Sequence, residues 1–330
     1  AMTETNAVHP YSRARRPAAD LDEVDDRSTF ARCPAFQATT PATAMTAQHP
    51  EIRPEQSIEL LKQLHILTRD GKLNQDSRRK LKQVYHLYQF IEPLLSAALA
   101  ERADIQLVDH GAGKSYLGFI LHDLFFKQQA PAGRIHGIET RDELVMSSRR
   151  LADKLGFSAG MRFHNLTVAE SITSAQLPER IDVVTALHAC NTATDDAIRF
   201  ALEKQARFIV LVPCCQAEVA AVLRKNKAQM LNNSLSELWR HGLHTREFGS
   251  HVTNVLRCLQ LESHGYQVSV TELVGWEHSM KNELIIASHK GLARRRPSER
   301  LQEMLRTFGL EELEARFFSG EPGQRARAED

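Results

Sequence analysis

Between residues 105 and 213, five short, continuously apolar runs alternate with segments long enough to be helices. The runs are IQLVD (105–109), RIHGIE (134–139), MRFHN (161–165), IDVVTALH (181–188) and ARFIVLVP (206–213). Strands with one face in water alternate apolar and polar residues, whereas these runs read as parallel strands covered on both faces. Two more runs follow, YQVSVTELV (266–274) and NELIIASHK (282–290). The link between them is too short for a parallel crossover, so they must pair antiparallel. The pattern predicts an α/β domain with a seven-stranded sheet, five parallel strands and a terminal antiparallel hairpin.

The flanks differ from this core. Residues 1–50 mix Pro, Ala, Thr, Arg and Asp with no apolar period and read as a disordered N-terminal segment. Residues 51–100 read as a helical N-terminal extension: EQSIELLKQLHIL as a short amphipathic helix, RDGKLN as a turn, and QDSRRKLKQVYHLYQFIEPLL as a second helix. In that second helix Leu81, Val84, Tyr85, Tyr88, Ile91 and Leu95 recur at helical spacing. Asp76 or Ser77 is placed to cap it, and Pro93 to kink it near its end. The sheet domain takes residues 101–291, and residues 292–330 read as one or two helices and a polar tail. With 42 basic and 41 acidic residues, the net charge of +1 creates no global field that would draw in nucleic acid. No run reaches the ~20 apolar residues of a membrane span, so no membrane partner is expected. Five cysteines, an odd number, and the lack of an apolar signal region near the start point to free thiols in a reducing, cytoplasmic setting. Nothing in the sequence sets the oligomeric state.

The stretch LVDHGAGKSYLGFIL, residues 107–121, admits two readings. A phosphate-binding P-loop ending on Gly113-Lys114-Ser115 needs a glycine five residues before Gly113, and that position is Val108, inside a strand. The other reading is a nucleotide-type turn. Asp109 ends the first strand, and Gly111 and Gly113 let the backbone turn tightly and approach a ligand. Glu139 ends the second strand, where a carboxylate accepts hydrogen bonds from ribose hydroxyls. VDHGAGKSYLGF, IHGIETRDELVMSSRRLADKLGF and the closing hairpin together resemble the class I S-adenosylmethionine (SAM)-dependent methyltransferases, over about residues 101–291. The resemblance implies a Rossmann-like sheet and SAM as methyl donor. It implies a cofactor loop of Asp109, Gly111, Gly113, Lys114 and Ser115, with Gly111 and Gly113 beside the amino-acid part of SAM. Glu139 would sit on the ribose, and Leu166 and Thr167 would flank the adenine. Ser115 stands where the family usually has a third glycine. NAD is the competing cofactor for such a fold, and the terminal hairpin argues against it.

Ligands of open α/β sheets bind beyond the carboxyl ends of the strands. There TALHACN (185–191) and LVPCCQAE (211–218) place His188, Cys190, Cys214 and Cys215 as catalytic candidates. A thiolate could add to a base before methyl transfer, as in some RNA cytosine-C5 methyltransferases, with His188 as its base. The same residues could bind zinc, but adjacent cysteines are poor joint ligands, and no metal is expected. They could also be small packed residues lining the pocket. The pairing of LHAC-like and PCC-like segments resembles a poorly characterised branch of the superfamily with rRNA-adenine-dimethylase-like and methyltransferase-like members. That family's Asn-Pro-Pro-Tyr motif, which suits amino-group methylation, is missing after the fourth strand.

His251, Asn254 and Arg257 fall on one helix face and Trp276 in the last loop, all as candidate substrate contacts. Arg78, Arg79, Lys80 and Lys82, with Arg294, Arg295 and Arg296, are either solvated surface or contacts to RNA. The expected function is SAM-dependent methyl transfer to RNA, ribosomal or transfer. The alternatives are a protein or small-molecule acceptor, or a SAM-binding interaction module with little activity.

Overall fold

The computed structural model describes residues 50–187, 192–213, 216–226, 234–273, 283–291 and 295–318. Helix α1, Ile58–Gln63, starts where the Ser57 side chain accepts from the Leu60 N–H, and the chain leaves it at His65 with a left-handed φ of 54°. Helix α2, Gln75–Leu99, is capped by Asn74, whose side chain accepts from the Ser77 N–H at 2.7 Å. The cap is therefore Asn74 rather than Asp76 or Ser77, because the capping oxygen must reach the free N–H three residues ahead. The helix continues through Pro93. Leu60, Leu61, Ile91 and Leu95 share one apolar cluster with Leu107, Phe119, Ile135 and Val210, so these helices are built onto the sheet.

Seven strands form one sheet: β1 Gln106–His110, β2 Arg134–Glu139, β3 Met161–Asn165, β4 Val183–Leu187, β5 Phe208–Val212, β6 Tyr266–Glu272 and β7 Glu283–His289. Their order is β3-β2-β1-β4-β5-β7-β6, with β7 antiparallel to both β5 and β6. Side chains alternate between the faces, and both faces are covered. Leu107, Ile135 and Val183 point into one cluster, while Val108, Ile138 and Val184 point into a second with Ala197, Phe200 and Leu261. This explains why the strands read as unbroken apolar runs.

The connecting helices are α3 Tyr116–Leu121, continued by a π-helical turn His122–Phe126 and Lys127–Gln129, then α4 Asp142–Leu155, α5 Val168–Thr173, α6 Ala193–Glu203, α7 Glu218–Lys225 and α8 Gly242–Ser263. After the sheet come α9 Arg295–Thr307 and α10 Glu314–Phe318. Val219 of α7, Leu256 of α8 and Leu301 of α9 meet in a third cluster. Among the described residues no helix is long and apolar enough to cross a membrane. From β1 the chain goes outward to β2 and β3, then returns to β4 on the other side of β1. The carboxyl ends of β1 and β4 thus flank the switch point, where open sheets form a crevice for ligands.

Candidate functional site: the loop after β1 and the neighbouring strand ends

The chain leaves β1 through three left-handed residues, Gly111 (φ 67°), Gly113 (φ 56°) and Ser115 (φ 52°). Glycine adopts this geometry at no steric cost, whereas Ser115 holds it as a strained residue. The Ala112 N–H donates to the Ile138 carbonyl at 2.9 Å, and the Gly113 N–H donates to Glu139 Oε2 at 2.9 Å. A Cβ at position 113 would meet nothing nearer than Arg141 Nη2 at 4.0 Å, so the loop keeps open space on that side. Lys114 is exposed. Ser115 is buried, and its hydroxyl has no hydrogen-bond partner among the described residues. It fits because residue 118 is glycine: a Cβ there would lie 2.6 Å from Ser115 Oγ.

Glu139 closes β2 with a nearly buried side chain. Its Oε1 accepts from the Arg141 backbone N–H and from Arg141 Nε, both at 3.0 Å, and its Oε2 from Arg141 Nη2 at 3.2 Å. Burial opposes ionisation of Glu139, but the bonds from Arg141 and from the Gly113 N–H outweigh it and hold the carboxyl below its usual range. Asn165, at the end of β3, donates to the backbone carbonyls of Glu139 and Thr140 and fixes that corner. Asp109 lies beneath the loop. Burial pushes its pKa up to about 7 against a single compensating hydrogen bond from Thr185 Oγ1 at 2.8 Å. His110 is buried beside Phe200 with both ring nitrogens unpartnered among the described residues, and burial lowers its pKa to about 4.

The other expected positions divide. Leu166 is half-buried against the core, and Thr167 caps α5 in a reciprocal capping box with Glu170. His188, Cys190, Cys214, Cys215, Trp276 and Arg294 lie outside the described residues. Leu187, which precedes His188 and Cys190, pairs in register with Val212, which precedes Cys214 and Cys215. Cys258, the described thiol, is pushed up to about 12 by burial, which leaves it inert as a nucleophile.

The face expected at 251–257 is exposed at one end and buried at the other. His251 is exposed, but Asn254 and Arg257 are buried. Arg257 donates to both Asp195 oxygens, at 2.6 and 2.9 Å, and to Asn254 Oδ1 at 3.2 Å, while Asn254 donates to Glu283 at 2.8 Å. A fully buried guanidinium is tolerated only with such partners, so Arg257 ties α8 to the start of α6. At the surface Arg78 pairs with Glu51, Lys80 with Asp76 and Arg295 with Glu299, while Arg79, Lys82 and Arg296 are exposed. Sequence reasoning gave no role to Arg141 or Thr185. The signal for Arg141 was its place two residues after the acidic strand end; Thr185 is found only through strand register.

Residues 79–222 match a family model described as a methyltransferase domain. A curated Bos taurus protein named glutathione S-transferase C-terminal domain-containing protein is 24% identical over 240 residues, 67% of this chain and 35% of that protein. Its Mus musculus counterpart is 23% identical over 239 residues, again 35% of its length. The chain therefore spans about a third of the curated relatives it matches. Among solved structures, a magnesium protoporphyrin IX methyltransferase from Synechocystis with bound SAH is similar at 15% identity, with 71% of this chain and 95% of that one covered and a TM-score of 0.38. An SAH-bound methyltransferase from Podospora anserina is similar at 10% identity, with 79% and 100% covered and a TM-score of 0.40. The match over residues 79–222, the sheet order β3-β2-β1-β4-β5-β7-β6 and the glycine loop facing an acidic strand end agree with one another, and the chain carries a methyltransferase domain.

Proposed function

We propose that this protein transfers the methyl group of SAM to RNA, ribosomal or transfer. The observation that carries the reading is the 2.9 Å bond between the Gly113 N–H and Glu139, which sets an open glycine turn against a carboxylate at the switch-point crevice. The residues present fit the cofactor. The space beside Gly113 would be filled by any side chain, and the buried Ser115 hydroxyl lacks a partner among the described residues. Gly111 and Gly113 would seat the amino-acid part. Glu139 would accept from the ribose once the exposed Arg141 side chain swings aside, and Leu166 and Thr167 would border the adenine. When bound, SAM supplies an electrophilic methyl carbon on a sulfonium, open to in-line attack by an acceptor lone pair. The chain's share is orientation and exclusion of water by the apolar strand ends Leu187 and Val212. The cationic first turns of α2, Arg78, Arg79, Lys80 and Lys82, with Arg294 to Arg296, support RNA over an uncharged acceptor.

The test incubates the purified protein with methyl-labelled SAM and an extract of cells lacking the gene. Label in RNA is expected. Label in the protein or small-molecule fraction would replace the acceptor. No label anywhere, with SAM binding shown by calorimetry, would leave a binding module and overturn the enzymatic reading.

A further inference from the structure

A cavity of about 400 Å³ opens at the carboxyl edge of the sheet, between the strand ends and the two N-terminal helices. Leu187 of β4 and Val212 of β5 line it, as does Tyr116, the residue that follows the strained Ser115 at the start of α3. The opposite side is supplied by His65, Lys80 and Gln83, from the end of α1 and the first turns of α2. The walls are mostly apolar, with a few polar groups at the rim, as in pockets for flat organic ligands of about 300–1000 Å³.

Three further features narrow the occupant. Tyr116 is a large aromatic side chain left 45% exposed at this cavity, a surface for stacking. His65 is held at a φ of 54°, a strained conformation for a residue with a side chain, at the rim of the same cavity. Finally, the helix that supplies Lys80 carries Arg78, Arg79 and Lys82 beside it. The ion pair of Lys80 with Asp76 is an exposed i,i+4 pair of little strength, so a phosphate can replace the carboxylate. An apolar slot with an aromatic wall and the Lys80 ammonium on one flank suits an unpaired base whose phosphate stays outside. At about 400 Å³ it is too small for a duplex.

We infer that this cavity receives one unpaired base of the acceptor RNA, stacked on Tyr116, with a flanking phosphate on Lys80. The inference rests on the RNA reading above and adds the site and the single-stranded character of the substrate. It also gives the N-terminal helices a role: they form the wall that selects the acceptor.

The test measures binding of a labelled, short, single-stranded RNA of mixed sequence to the full chain, with SAM affinity followed in parallel by calorimetry. Tyr116→Ala should weaken RNA binding by about 5- to 100-fold while SAM affinity is kept, and Tyr116→Phe should restore it. Lys80→Ala should lower the slope of log affinity against log salt by about 0.7. Double-stranded RNA should compete poorly. If the unaltered protein neither binds nor methylates RNA, the RNA reading falls and takes this assignment with it. If it does both, yet Tyr116→Ala binds RNA at full strength, the cavity assignment alone is overturned. Loss of SAM affinity in Tyr116→Ala would also overturn it, by moving Tyr116 to the cofactor loop.

Discussion

Arg141 grips Glu139 from the solvent side while the Gly113 N–H holds it from within the loop, so in the function proposed above a ribose on Glu139 would displace one of them. The Arg141 side chain is 61% exposed and water competes for its guanidinium, whereas the Gly113 N–H is fixed in the backbone, so Arg141 is the contact that yields. Glu139→Ala should weaken SAM binding by about 1–3 kcal/mol, the loss of hydrogen bonds to a charged group. Arg141→Ala should leave SAM affinity unchanged or raise it up to about fivefold. Calorimetry separates the two, and a fall in the Arg141 variant would mean that the guanidinium itself holds the cofactor. At the buried pair the stakes are higher. Arg257→Ala strands Asp195 and should cost about 3–5 kcal/mol in urea denaturation. Replacing both partners, Arg257→Met with Asp195→Leu, should recover most of that loss, because no unpaired charge remains.

In β2 the backbone runs under the Phe163 ring. A Cβ at Gly137 would lie 2.8 Å from Phe163 Cδ1, and that ring packs in turn against Phe119 of the segment following the loop. Gly137→Ala should therefore cost about 1–3 kcal/mol through overpacking, read as a lower Tm. Gly137 pairs in register with Asp109, so the displacement should also reach the loop and reduce SAM affinity. Unchanged thermal stability would show that the ring moves freely. Strands were legible because each is a short apolar run bounded by polar segments. The cap of α2 was not, since Asn74, Asp76 and Ser77 are all good capping types and only the backbone path shows which one faces a free N–H.

For the molecule as a whole, buried imidazoles set the response to acid. Burial lowers His110, His122 and His136 to about 4 each, the last also by the neighbouring His164, whose Nε2 lies 3.1 Å from His136 Nδ1. In the unfolded chain these groups protonate near 6.5. The unfolded state then binds more protons, and stability is lost as pH falls from about 6.5 toward 4. Asp109, raised to about 7, works in the opposite direction, since its stabilising share is complete below about 4 and fades as pH rises through 7. Three imidazoles outweigh one carboxyl. Urea midpoints should show a net loss of about 2–4 kcal/mol between pH 7 and pH 5, and a flat profile would mean that these histidines are hydrated.

The sequence by itself determined the sheet. Apolar runs that pack on both faces, spaced by helix-length segments and closed by two runs too near each other for a parallel crossover, leave few arrangements, and the glycine turn facing an acidic strand end stands out within them. Both signals are local, carried by neighbouring residues. What only tertiary structure decided involves partners far apart in the chain. Helical spacing put Asn254 and Arg257 on one face but could not tell that this face meets Asp195, 62 positions away, and is buried. Nor could it tell that His65, Lys80 and Tyr116 line one cavity over β4 and β5. Hydrophobic periodicity says which side of an element is covered, and only the packed chain says what covers it.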